Sequence, residues 1–422
     1  MAEHSNSAPA AAHAPSFARL YAPFAAAYLL SYFYRNVNAV ISPDLTRELA
    51  LSPGALGLLT SAYFVGFAGM QLPAGMLLDR YGPRRVEPAL LLVAALGALA
   101  FAFADGMAAL IGARMLIGMG VATCLMSPLK AIGTWYPKPR QASLGGWIMV
   151  AGGAGVLMAT APLEFLLRAV TWRMIFLGLA IATCAAALAI WVRVPDTPET
   201  TRGGGLGAQW AGVRSVFAHP RFWWIGPLAM FGTGSFMSVQ GLWAVPWLMQ
   251  VNGFDRAGAA AHLLVMGVTM VGGYVALGLC SSALARRGVH PRHLFGAGFG
   301  LAALSFAAIL TTLPGTWIWW ALFGLGATVN VLAFTVLNDA FGVELTARSN
   351  TALNLLMFCG SFATQWGIGI IVDASRATLG LEVAGALKLA FTVSLTLYAL
   401  AYAWFAWGWR RHGGVTRAAA PA

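Results

Sequence analysis

Twelve runs of roughly twenty residues pass along this chain with few charges, and no single motif restricts the fold as much as that repetition. A membrane-crossing helix needs about 20 mostly apolar residues. The runs lie at 18–41, 55–78, 86–104, 108–129, 144–163 and 174–194, then at 222–248, 259–284, 294–313, 316–337, 352–372 and 386–409. Hydrocarbon offers the backbone no hydrogen-bond partner, so each run must pair its own N–H and C=O groups as a helix. The expected fold is an all-α membrane protein of twelve transmembrane helices in two pseudo-symmetric six-helix halves, residues 17–194 and 220–411. A polar linker, 195–219, with the sequence GGGLG joins them, and tails at 1–16 and 412–422 flank them.

Charge assigns the orientation. Only 9% of residues are charged, against about a quarter in a soluble domain, yet the formal net charge is +12. Nucleic-acid binding would gather that excess on one solvated face. Here the Lys and Arg residues sit in alternate short loops, as the positive-inside rule requires. Both termini and the linker are therefore expected in the cytoplasm, with the chain in the inner (plasma) membrane. The bilayer and a small solute are its expected partners, nucleic acid is not, and a monomer suffices. Cys124, Cys184, Cys280 and Cys359 fall inside apolar runs without metal spacing and read as small core residues.

DRYGPRR at 79–85 has a weak echo in ARRGVHP at 285–291, and RQAS at 140–143 pairs with RSNT at 348–351 at a nearly equal offset. Two related halves with a site between them are a recurrent transporter plan. The segment GMLLDRYGPRR, Gly75 to Arg85, resembles the signature loop of the major facilitator superfamily, G-x-x-x-D-R-x-G-x-[RK]-[RK], at every defined position. Gly75 would allow close helix approach, Gly82 a tight turn, and Asp79 a charge latch. The resemblance implies that Gly75, Asp79, Arg80, Gly82, Arg84 and Arg85 hold the halves together in one state and release them in the other. RMLIGMG, Arg114 to Gly120, is similar to a second superfamily pattern. Arg114 then either faces a cavity or partner, as a membrane-embedded cation must, or snorkels to the headgroups.

The first span, SYFYRNVNAVISP, resembles the first helix of the organophosphate and organic-anion members, in which an Arg overlooks the central cavity. Tyr28, Tyr32, Arg35 and Asn36 share a helical face. Arg35 is expected to meet substrate, the alternatives being snorkelling or a pair with Asp44. Lys130 lies about 8 Å inside the membrane from the interfacial Trp135 and Tyr136, and serves either the cavity or the interface. The seventh span offers Gln240 and Trp243 but no second cation, which disfavours a phosphate monoester. Pro246 allows a bend there, and Trp243 forms either a cavity wall or core. Asn330 and Asn354 bond either a ligand or a neighbouring helix.

The fifth span carries Gly145, Gly146, Gly152, Gly153 and Gly155, only loosely like the glycine-rich fifth helix of antiporters, and argues for close packing. Of the acidic residues considered, Asp44, Glu164, Asp339 and Asp373 all lie near span ends. Any coupling proton would use one of these or the substrate's own acid group, with His262 as a further relay. There is no GxxxxGK[ST] loop, no HExxH and no cysteine framework, so neither an enzyme nor a cofactor is expected. The reading is a secondary transporter that moves a small anionic metabolite or chelate by alternating access. The alternative is a drug/proton antiporter; a ligand sensor lacks an output domain.

Overall fold

The computed structural model describes residues 16–196, 206–338, 341 and 346–412. Among these, twelve membrane-length helical segments and no strand are present. The first half comprises α1 (Phe17–Leu49), α2 (Pro53–Tyr81), α3 (Pro83–Phe103), α4 in two pieces (Met107–Gly120 and Met126–Trp135), α5 (Lys138–Met158) and α6 (Trp172–Arg193). The second comprises α7 (Phe222–Ser238, a π turn Val239–Trp243, then Ala244–Gln250), α8 (Arg256–Arg286) and α9 (Pro291–Leu310). It continues with α10 (Thr316–Ala327, a 3-10 turn Thr328–Val331, then Leu332–Asn338), α11 (Thr346–Leu379) and α12 (Val383–His412). A linker helix, Leu206–Phe217, packs on α11 and α2. Asp339 lies outside the described residues.

Local chemistry sets the helix ends. Ser52 accepts a hydrogen bond from Ala55 N and is followed by Pro53, whose missing N–H costs nothing at a first turn. Thr171 caps α6 in the same way through Met174 N. Gly82, at φ 74°, turns α2 into α3 with no connecting residue to spare, a conformation that disfavours other L-residues. In α7, Pro246 lacks the N–H that would bond the Leu242 carbonyl, and the helix loosens into the π turn just ahead of it.

α1 packs on α7, α2 on α11 and α5 on α8, the symmetric pairing of two related halves. Tight contacts between the halves gather at the end away from the termini. There Arg256 Nη2 meets Asp44 Oδ2 at 2.6 Å. The Asp373 carboxylate accepts bonds from Ser52 Oγ (2.7 Å) and Gly54 N (2.8 Å). At the terminus end, the second piece of α4 packs on α5, α3 and α1, and the last piece of α10 on α9, α11 and α7, each within its own half. The bundle is thus closed at one end and parted at the other.

Two expectations change, and a third is met. Cys124 is buried, but Cys184, Cys280 and Cys359 are exposed on the outside of the bundle, where apolar surroundings need not mean a core. A Cβ on Gly75 would meet nothing within 4 Å, so no helix approaches it in this parted state. A Cβ on Gly155 would stand 2.1 Å from Leu29 O, and one on Gly152 would crowd Tyr28, so these two glycines bring α5 against α1.

Candidate functional site

A cavity of about 320 Å3 lies between the halves, lined from α1, α2, α4 and α5 on one side and α7, α8, α10 and α11 on the other. Tyr28, Tyr32 and Arg35 enter it from α1 at intervals of four and three residues, one face of a helix. The two tyrosines meet edge to face with centroids 5.0 Å apart and hydroxyls at 3.3 Å. The Arg35 guanidinium stands 4.7 Å from the centroid of Tyr32, 5.4 Å from Phe67, 5.5 Å from Phe358 and 5.8 Å from Tyr63. Among the described residues no carboxylate pairs with it, and its Nε is buried without a partner. Asp44, the one acid the sequence offered it, is taken by Arg256.

Asn330 and Asn354 also reach the cavity, each already engaged. Asn330 Oδ1 accepts from Tyr274 OH at 3.2 Å, and Asn354 Nδ2 donates across the halves to Gln71 Oε1 at 3.1 Å. Other expected contacts fall elsewhere. Asn36 Nδ2 donates to Tyr32 O of its own helix at 2.8 Å, behind the cavity wall. Gln240 is buried against Met270 Sδ, and Trp243 seals the closed end beside a separate recess. Lys130 Nζ is held by Asp79 Oδ1 at 2.6 Å and Leu78 O at 2.8 Å, which removes it from the lining. Sequence reasoning left out Ser31, Phe67, Gln71 and Tyr274, and five lining methionines, Met126, Met149, Met237, Met270 and Met357. The helical spacing of Ser31 and Tyr28 to Arg35 was a usable signal; the methionines carry none.

At the signature loop, Asp79 pairs within its own half, with Lys130. Arg84 binds Asp196 at 2.7 Å and Trp191 O at 3.1 Å, Arg85 approaches Asp196 at 3.8 Å, and Arg80 lies over the Tyr81 ring. Arg114 is 1% exposed, so it does not snorkel. Its Nη1 donates to Tyr34 O at 2.9 Å, and its guanidinium lies 5.3 Å from Phe101 and 5.8 Å from Phe176.

Among the acids, Glu164 is paired with Arg168 at 2.9 Å. His262, stacked on Trp317, sits at the closed end. One carboxylate contradicts the expectation that none lies inside the bundle: Glu87, in the second turn of α3, is 0% exposed. It is the second residue of the run 86–104, at a span end by sequence, and only the packing of α3 on α4 and α6 encloses it.

The family model of the Major Facilitator Superfamily matches residues 24–365. The hexuronate transporter of Bacillus subtilis (strain 168) is 25% identical over 173 residues, 41% of either chain. The probable sulfoacetate transporter SauU of Cupriavidus necator is 24% identical over 241 residues, 54% of this chain and 56% of its own. The matches to these curated relatives thus span only about two-fifths to just over half of their length. A bacterial homologue of the human lysosomal transporter Spinster, inward-facing and unoccupied, superposes with a TM-score of 0.73 over 93% of this chain and 96% of that one, at 18% identity.

Proposed function

The chain belongs to the Major Facilitator Superfamily, and from that premise we propose that it is a secondary transporter carrying a small, singly charged organic anion by alternating access. The observation that carries this reading is Arg35, the cation of the cavity lining, which has no acidic partner among the described residues. A cation at membrane depth costs a few kcal/mol or more and is kept for a counter-charge. The aromatic faces around it offset part of that cost, at about 0.5–2 kcal/mol for each well-placed ring. They leave the guanidinium's N–H edge for a carboxylate or sulfonate, which it can grip with two parallel hydrogen bonds. A second cation is not offered, since Lys130 is bound to Asp79, so a doubly charged phosphate monoester fits poorly. The methionines accept an apolar body, while Tyr28, Tyr274 and Asn330 supply the polar contacts that orient it.

The parted end, which carries both termini, faces the cytoplasm of the inner membrane in this reading, in keeping with its basic loops. Asp79 is then the latch: it rests on Lys130 while that end is open, and turns with Arg80, Arg84 and Arg85 toward the other half when it closes. Gly75 offers the space for that closure, and Arg114 braces α4 against α1. Of what the B. subtilis and C. necator relatives are named for, a hexuronate carries one negative charge, as this site favours, whereas sulfoacetate carries two.

The test is uptake into proteoliposomes of glucuronate, sulfoacetate, benzoate, glucose 6-phosphate and a fluoroquinolone, with wild type and Arg35→Gln. Accumulation of a singly charged acid that Arg35→Gln lowers at least about tenfold is expected. Movement of the drug alone, or full activity without Arg35, would replace this reading with efflux.

A further inference from the structure

Glu87 is used by nothing derived so far, and its setting is unusual. It is fully buried, and neither carboxylate oxygen has a hydrogen-bond partner of good geometry. The groups that bear on it are Ser127, Thr123 and Cys124, all in or beside the break in α4. The elements packed on α3 also carry Arg114, Lys130, Asp79 and Arg193, but of the titratable groups only Cys124 faces Glu87. Lys130, one turn beyond Ser127, is fixed to Asp79. On α3 itself, Arg84 and Arg85 turn to Asp196. A carboxylate so placed faces two hydroxyls and a thiol but no counter-charge, and a buried charge without a counter-charge is costly.

The same segment connects Glu87 to the cavity. Val121, Ala122, Leu125 and Met126 of the α4 break form cavity wall on one side, while Cys124 between them faces Glu87 on the other. Cys124 also contacts Ser31, which lines the cavity one turn before Arg35. The geometry points to Glu87 as the proton-binding site of this carrier: its carboxylate takes a proton from water while the end away from the termini is open, holds it into the terminus-open state, and is coupled to the anion on Arg35 through the α4 break. This rests on the transport reading above. Release breaks the carboxyl O–H bond and passes the proton to water at the terminus end, leaving the carboxylate. Arg35 keeps its charge throughout, so one singly charged anion travels with one proton and no net charge moves.

Two measurements decide it. Infrared difference spectra of the purified full chain at pH 7, wild type minus Glu87→Gln, are expected to show a carboxylic-acid C=O band; its absence in the wild type overturns the proposal without reference to any substrate. In proteoliposomes, using whichever of glucuronate or benzoate the wild type exchanges, Glu87→Gln is expected to keep at least half of the counterflow rate. Its accumulation under an imposed pH gradient should fall to background. Wild-type accumulation by Glu87→Gln overturns the coupling. If the variant loses both activities, Glu87→Asp, which retains an acid, must restore gradient-driven accumulation, and its failure to do so counts against the proposal. If the wild type moves no anion, it is the transport reading that fails, and the infrared band decides the proton site alone.

Discussion

At the scale of single residues, the site turns on which way a side chain points from its helix. Arg35 was legible because Tyr28, Tyr32 and Arg35 recur at helical spacing within one apolar run. Asn36, its neighbour in sequence, was not, because adjacent residues diverge by about 100° around the axis and Asn36 closes a bond on its own helix. Glu87 escaped notice because it stands at the very start of the run 86–104, beside Arg84 and Arg85; its burial is a property of the packed bundle. The ring of aromatic faces makes a charge-conserving test informative. Lysine keeps the charge of Arg35 but has neither the flat guanidinium that lies against Tyr32 and Phe358 nor the paired donors. Arg35→Lys is expected to lower the initial rate of anion uptake about tenfold, mainly through KM. A rate within twofold of wild type would show that charge alone suffices.

At the scale of elements, the twelve helices were legible and their interruptions were not. Run length and apolarity are enough to specify a membrane helix, and eight of the segments qualify individually on those grounds. The end of α1 and the start of α11 extend beyond their apolar runs to Leu49 and Thr346, since polar residues at a bundle end remain helical in contact with water or headgroups. The π turn in α7 had a visible cause in Pro246, whereas the break in α4 shows only in the structure. Packing between elements separates two glycines that look alike in sequence. Gly155→Ala places a methyl group where Leu29 O already stands and should destabilise the α1–α5 contact by about 1–3 kcal/mol, read as a lower thermal midpoint in detergent. Gly75→Ala meets open space and should leave that midpoint unchanged while slowing transport, if closing the terminus end brings a helix against it. Equal midpoints for the two variants would contradict the packing described.

At the scale of the whole molecule, alternating access requires that the closed end come apart, and beside the close packing of α2 on α11 its polar ties are few. Arg256 to Asp44 and Asp373 to Ser52 and Gly54 each join one half to the other near the ends of helices, where water can take over the bonds once they open. Such contacts suit a carrier: they stabilise one state modestly and cost little to exchange for solvent. A partly exposed ion pair contributes up to about 1 kcal/mol, which corresponds to a roughly fivefold change in the ratio of the two states. Asp44→Asn should therefore shift the population toward the state closed at the terminus end. Met126 lines the cavity on the α4 break, and a cysteine placed there, with the four native cysteines replaced by serine, reports how open that end is. Its labelling by a membrane-impermeant thiol reagent should be slower in Asp44→Asn than in its parent, and faster when Asp79→Asn removes the acid proposed to latch the terminus end. Opposite shifts from two substitutions at opposite ends are what a single rocking equilibrium demands. Two shifts of the same sign would mean that the ends open independently.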